Sequence, residues 1–191
     1  MTTRTRLVAL TLPALLGAAL LGSSKAPAQK EKDAAPKIGE VIVQTIPAKH
    51  YVFGTIETDF KSMGEPIGKT LAALMEAASE NRVGLHGPVI HFYYGAPHQA
   101  ADKPFKMETG WFVPEGTKEV GKFKVRELPK FKCASILYVG PATRIGDAWQ
   151  ELHRSLKAKG LTPTDEEREL YLYWEGVDSP NNIVLVQVGV K

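Results

Sequence analysis

The mature part of this chain says nearly the same thing twice, and that repetition limits the folds open to it. Residues 44–53 run parallel to residues 126–135, with Pro47 aligned on Pro129. An amphipathic helical pattern follows in each half. Residues 66–81 carry Ile67, Leu71, Leu74, Met75 and Ala78 on one stripe, and residues 145–159 carry Ile145, Trp149, Leu152 and Leu156. Both stripes follow the i, i+3/i+4, i+7 spacing of a half-buried helix. Gly84-Leu85 and Gly160-Leu161 come next, where glycine relieves left-handed strain at a helix end. Lys157 and Lys159 also suit the second helix's C-terminal dipole. Two strand-like runs then close each half: 89–94 with 107–113, and 169–175 with 183–190. A turn at 178–182 joins the last two. The matching connection at 95–106 is longer, contains Pro97, His98 and Pro104, and is expected to be a covering loop.

One helix covers only one face of a three-stranded sheet. The expected fold class is therefore α+β, with two tandem β-α-β-β units facing each other and a ligand groove between them. Repeat 1 spans about 38–116 and repeat 2 about 122–191.

Residues 1–28 stand apart from that pattern. Arg4 and Arg6 precede an apolar run from Leu7 to Leu21, and Ala26-Pro27-Ala28 supplies the small residues of a cleavage site. This is the layout of a secretory signal cut after Ala28. The alternative is an uncleaved N-terminal membrane anchor, but the run is shorter than the roughly 20 residues a span needs. Residues 29–37 read as a flexible linker. The expected location is periplasmic or secreted, with no stable membrane span after cleavage.

Cleavage changes the charge. The full chain has 24 Lys+Arg against 21 Asp+Glu; Arg4, Arg6 and Lys25 belong to the signal, so the remainder is balanced. A balanced chain lacks the basic surplus that nucleic acid requires, so no nucleic-acid partner is expected. The single cysteine, Cys133, cannot form an internal disulfide and is read as buried and inert in a strand.

Four short features, in order, resemble the GyrI-like small-molecule-binding domain, the effector-binding domain of bacterial transcription activators. Leu128-Pro129 leads into a strand, then Gly140-Pro141, then a helix with Ala148-Trp149. Glu169-Leu170-Tyr171 matches a Glu-x-Tyr on the penultimate strand. Glu108-Thr109-Gly110 runs into Val113-Pro114, and the duplicated unit order completes the set. The resemblance covers about residues 38–191. It implies a pocket between the halves for hydrophobic, often cationic compounds, with Glu169 as the acid and Tyr171 as its partner. The chain departs from the regulators in having no helix-turn-helix reader and in carrying a signal segment.

Period-two alternation supports the same site independently. On a strand at 169–175, Glu169, Tyr171, Tyr173 and Glu175 point one way, and Leu170, Leu172 and Trp174 the other. With the apolar set under the helix, the acidic-aromatic set faces the groove. A carboxylate among tyrosine rings suits an organic cation, each ring adding about 0.5–2 kcal/mol. Trp111 and Glu108 are further candidates; the bland reading puts Trp111 in the core and Glu108 in water. One of the adjacent Tyr93 and Tyr94 must face the groove, and Tyr93 is carried as the candidate. Trp149 reads mainly as core, with its edge as a lesser candidate for the pocket, and Glu175 as a wet strand end.

The five histidines, His50, His86, His91, His98 and His153, show no metal-ligand spacing. No metal or cofactor is expected. His91 stands out because it lies on the strand matching 169–175. The resulting expectation is an exported protein that binds a small organic molecule through Glu169, Tyr171, Tyr173, Trp111, Glu108 and Tyr93. One alternative is a hydrolase of reactive small molecules with Glu169 as base. A second is a SOUL-like haem-binding protein with His50, His91 or His98 as axial ligand. No nucleophile motif is present.

Overall fold

The computed structural model describes residues 35–95 and 102–191. The signal expected at 1–28, residues 29–34 of the linker expected at 29–37, and Pro97 and His98 lie outside the described residues. The element order is β1 (Lys37–Ile38), β2 (Ile42–Ile46), β3 (Lys49–Thr58), α1 (Gly64–Glu80), β4 (His86–Tyr94) and β5 (Phe105–Val113). Then come β6 (Glu119–Val120), β7 (Phe123–Leu128), β8 (Phe131–Val139), a 3-10 turn (Ala142–Arg144), α2 (Gly146–Ala158), β9 (Pro163–Tyr173) and β10 (Ile183–Val190).

Both helices form where the apolar stripes put them. In α2, Trp149, Leu152 and Leu156 are buried; in α1, Leu74 and Ala78 are buried while Met75 turns outward. Gly160 takes the left-handed conformation expected of it, at φ +66°. After α1 that conformation falls on Arg82, φ +55°, and not on Gly84. Cys133 is fully buried, and burial raises its thiol pKa.

The α+β class holds, with two helices and a large antiparallel sheet among the described residues. The two sets of strands meet differently from the face-to-face arrangement expected. They join edge to edge through β4 and β9 in one ten-stranded sheet, whose main path is β1-β8-β10-β9-β4-β5-β3-β7-β6 with β2 also on β8. Strand pairing satisfies backbone groups that two separate sheets would leave at open edges.

The outer strands are stitched together. β2 pairs with β8, and β7 pairs with β3. Only Pro47-Ala48 separates β2 from β3, and only Pro129-Lys130 separates β7 from β8. The register is identical on both sides of this break: the two residue numbers of every pair total 177, from Ile42–Ser135 to Phe53–Lys124. Three Cα steps reach about 10 Å, so the β8 and β3 sides of the sheet are drawn toward each other and the sheet curls.

Helix α1 packs on β3 and β5, and α2 on β8 and β10. Both lie on the same face, because cross-strand pairing carries one row of side chains across it: Gly54, Thr109, His91, Glu169, Val186 and Ile136. The central strands β4 and β9 form the floor between the helices. The opposite face buries Tyr51, Ile90, Phe92 and Leu128 with Leu170 against them. There the Arg126 and Arg168 guanidiniums lie 5.5 and 4.7 Å from the centre of the Phe92 ring.

Candidate functional site

Glu169 sits in the middle of β9 on the helix face and is 3% exposed. Among the described residues, the Tyr93, Tyr171 and Trp149 side chains donate to its carboxylate. The Tyr93 hydroxyl, from β4, lies 2.7 Å from Oε2. The Tyr171 hydroxyl, two residues along β9, lies 2.7 Å from the same oxygen. The indole Nε1 of Trp149, on α2, lies 2.8 Å from Oε1. Burying a carboxylate costs several kcal/mol. Three hydrogen bonds to a charged acceptor, each worth about 1.5–3 kcal/mol, offset that cost. Burial first, and then the Glu169 charge, pushes the Tyr93 and Tyr171 hydroxyls well above the ordinary phenol range. Both phenols therefore stay protonated as donors.

Aromatic rings surround this carboxylate. Tyr93 meets the Trp149 ring edge-on at 6.5 Å, and Trp174 meets Tyr171 edge-on at 5.3 Å. Phe60, just ahead of α1, lies 6.2 Å from Tyr93 and 4.5 Å from Phe105. Met63 and Ile67 pack on the same cluster. The floor between the helices is thus filled by the protein's own apolar side chains.

His91 is the cross-strand partner of Glu169. It is 5% exposed, and its ring lies 4.6 Å from that of Tyr171. Burial lowers its pKa to about 3, so it is neutral at ordinary pH. Its ring is enclosed by Tyr93 and Tyr171, whereas His50 is half-buried on β3.

Of the residues singled out from sequence, the structure brings Glu169, Tyr171 and Tyr93 together. It sends three others elsewhere. Glu108 lies one residue from Thr109 on β5 and so faces the opposite side of the sheet. Arg126 pairs with it at 2.7 Å, and the Tyr94 hydroxyl donates to it at 3.2 Å. Burial raises its carboxyl pKa, and Arg126 opposes that shift. Trp111 is on the helix face but packs with Leu74 and Ala78 under α1. Tyr173 is 48% exposed and donates to Glu175 at 2.7 Å. The reason is a register slip: Tyr171 pairs with Val184 and Tyr173 with Ile183, so the two tyrosines cannot share a face. Glu175 also accepts from Ser179 and Asn181 and holds the turn.

The apolar residues of β9 do not lie under a helix, contrary to expectation. Leu170 lies on the face away from the helices, and Leu172 and Trp174 are half-exposed. The polar set lies on the helix face because the helices flank β4 and β9 instead of covering them. Sequence reasoning placed Trp149 mainly in the core with its edge as a lesser candidate for the pocket; the position on the core stripe hides that its N–H reaches β9.

Two open depressions lie away from Glu169. One, about 710 Å³, is lined by Arg126, Lys130, Lys132, Glu166 and neighbours; the other, about 670 Å³, by Phe53, Thr70, Glu108, Lys124 and neighbours. Both are open to solvent, and their linings are mixed in charge. The closed Glu169 cluster has the convergent polar groups and apolar walls of a ligand site, and chemistry outweighs open volume here. Among the described residues, no three His, Cys, Asp or Glu side chains gather as a metal site, and no helix is long and apolar enough to cross a membrane.

A curled antiparallel sheet with two flanking helices and an acidic-aromatic centre defines a ligand-binding α+β domain. The sequence profile of the GyrI-like small molecule binding domain matches residues 39–191, and the chain belongs to that family. No curated protein sequence matches the chain. Among solved structures, the fold is similar to the EcmrR C-terminal domain (19% identity, TM-score 0.63, covering 80% of this chain and 97% of that one). The chain spans 60% of the EcmrR chain in its DNA complex. A hydrolase encoded by lin2189 from Listeria innocua is similar at 12% identity and TM-score 0.60, covering 86% of this chain and 97% of that one. SAV2435 bound to tetraphenylphosphonium is similar at 13% identity and TM-score 0.53, covering 80% and 94%.

Proposed function

We propose that this protein is an exported binder of hydrophobic organic cations, which it captures between α1 and α2 against Glu169. The observation that carries this reading is a carboxylate almost removed from water, held by three donors and walled by aromatic rings. A charge in such a place counts for far more than one at the surface. The rings add apolar area and cation–π attraction. SAV2435, similar in fold, was solved with a lipophilic cation bound. A ligand reaches Glu169 by parting Phe60 and Met63 from Tyr93 and Phe105, which exchanges one apolar contact for another. The N-terminus of α1, at Met63, has no side-chain cap to hold it in place.

Calorimetric titration with tetraphenylphosphonium tests the site. Truncating one side of a buried charge pair costs about 2–5 kcal/mol, so Glu169→Gln is expected to weaken binding thirtyfold or more. Equal affinity in the variant would remove Glu169 from the function. Export rests on the N-terminal layout alone. Expressed in a bacterial host, the protein is expected in the exported fraction with Gln29 as its first residue; a full-length chain retained in the cell would refute this.

A further inference from the structure

The row of side chains that includes Glu169 continues away from it as His91 on β4 and Thr109 on β5. Both are buried, Thr109 completely. Among the described residues, neither ring nitrogen of His91 nor the Oγ1 of Thr109 has a hydrogen-bond partner. Buried polar groups are nearly always paired, and an orphan calls for an explanation. Here three orphan atoms belong to two neighbouring side chains on the same face and the same row as the acid.

His91 occupies on β4 the place that Glu169 occupies on β9. A neutral imidazole offers one donor and one acceptor, and the Thr109 hydroxyl offers both. Strands lie about 4.8 Å apart, so these groups begin one spacing from the Glu169 backbone and end two spacings away. The apolar half of the row, Val186 and Ile136, lies on the other side of Glu169. The row is therefore graded from apolar, through charged, to neutral polar.

We infer that His91 and Thr109 form a second polar subsite of the same pocket. Its ligand is then an amphipathic organic cation carrying a neutral hydrogen-bonding group, such as a hydroxyl, one to two strand spacings from its charge. This rests on the reading that Glu169 receives the cation. It separates this chain's ligand from a purely apolar cation, which would leave all three orphan atoms unpaired.

The test is calorimetric titration of the purified protein with phenethylamine and tyramine, which differ only by a phenolic hydroxyl, beside tetraphenylphosphonium. A hydrogen bond to a buried group left otherwise unpaired is worth about a factor of ten in affinity. Wild type is expected to prefer tyramine about tenfold. His91→Phe and the isosteric Thr109→Val are each expected to cut that preference to within about threefold. Thermal midpoints check folding, and either variant alone suffices if the other fails to fold. Equal affinity for the two amines in wild type, or a preference that survives both substitutions, overturns the subsite and leaves Glu169 untouched. Binding of tetraphenylphosphonium with no binding of either amine also overturns it. Failure of all three cations to bind sinks the Glu169 reading, and the subsite with it.

Discussion

Replacing His91 with phenylalanine flattens the fall in stability between pH 6.5 and pH 3. In the native state, burial lowers the His91 pKa from 6.5 to about 3. The unfolded chain therefore takes up a proton that the folded chain refuses. The stabilising preference for neutral His91 is fully present above pH 6.5 and is lost as pH falls toward 3. At 1.36 kcal/mol per pH unit, the loss is about 2 kcal/mol at pH 5 and about 4–5 kcal/mol when complete. The groups facing His91 are Glu169, Tyr93 and Tyr171, and the two phenols carry no charge in this range. Urea unfolding at pH 7, 6, 5 and 4.5 would measure the effect. Wild type and His91→Phe should diverge in favour of the variant as pH falls. At pH 7 the variant should be no less stable, since it removes two unpaired buried nitrogens. Parallel pH profiles would mean that His91 is solvated or paired in solution.

Gly110→Ala is expected to cost about 3 kcal/mol or more and to leave little folded protein. Gly110 pairs with Phe53 where β5 crosses β3, and a Cβ there would lie 1.9 Å from the Val52 carbonyl oxygen and 2.9 Å from the Phe53 Cα. Those are backbone atoms of the neighbouring strand, so no side-chain rotation relieves the clash. The strands must separate, and overpacking of this kind sits at the severe end of core substitutions. Thermal unfolding of Gly110→Ala beside Gly64→Ala, where a Cβ meets nothing within 4 Å, provides the comparison. A Gly110→Ala midpoint within a few degrees of wild type would show that β3 and β5 lie further apart than described.

Much of this site could be read from residue order, and the failures have physical causes. Period two on β9 put Glu169 and Tyr171 on one face correctly, because both precede the register slip. The same rule misplaced Tyr173, because a bulge leaves no mark that alternation detects. Helical periodicity located α2, but burial of a tryptophan says nothing about where its N–H points. Glu108 takes the opposite face of the sheet from Glu169, and only the strand pairing fixes which face each acid takes. His91 was noticed for its strand but weighed as a metal ligand, when its significance is to stand opposite Glu169.

The arms that stitch the sheet also decide what counts as one folding unit. Each β-α-β-β unit sends its leading strand to the far edge of the other: β2 completes β8, and β7 completes β3. The molecule is the covalent counterpart of a strand-exchanged dimer, in which two copies swap arms and each repairs the other's edge. Neither half owns a complete sheet, and a lone unit would expose bare edges at both its β3-type and β4-type strands. The smallest autonomous piece of this architecture is accordingly the pair, joined as a single chain, with Glu169 placed on the seam between them.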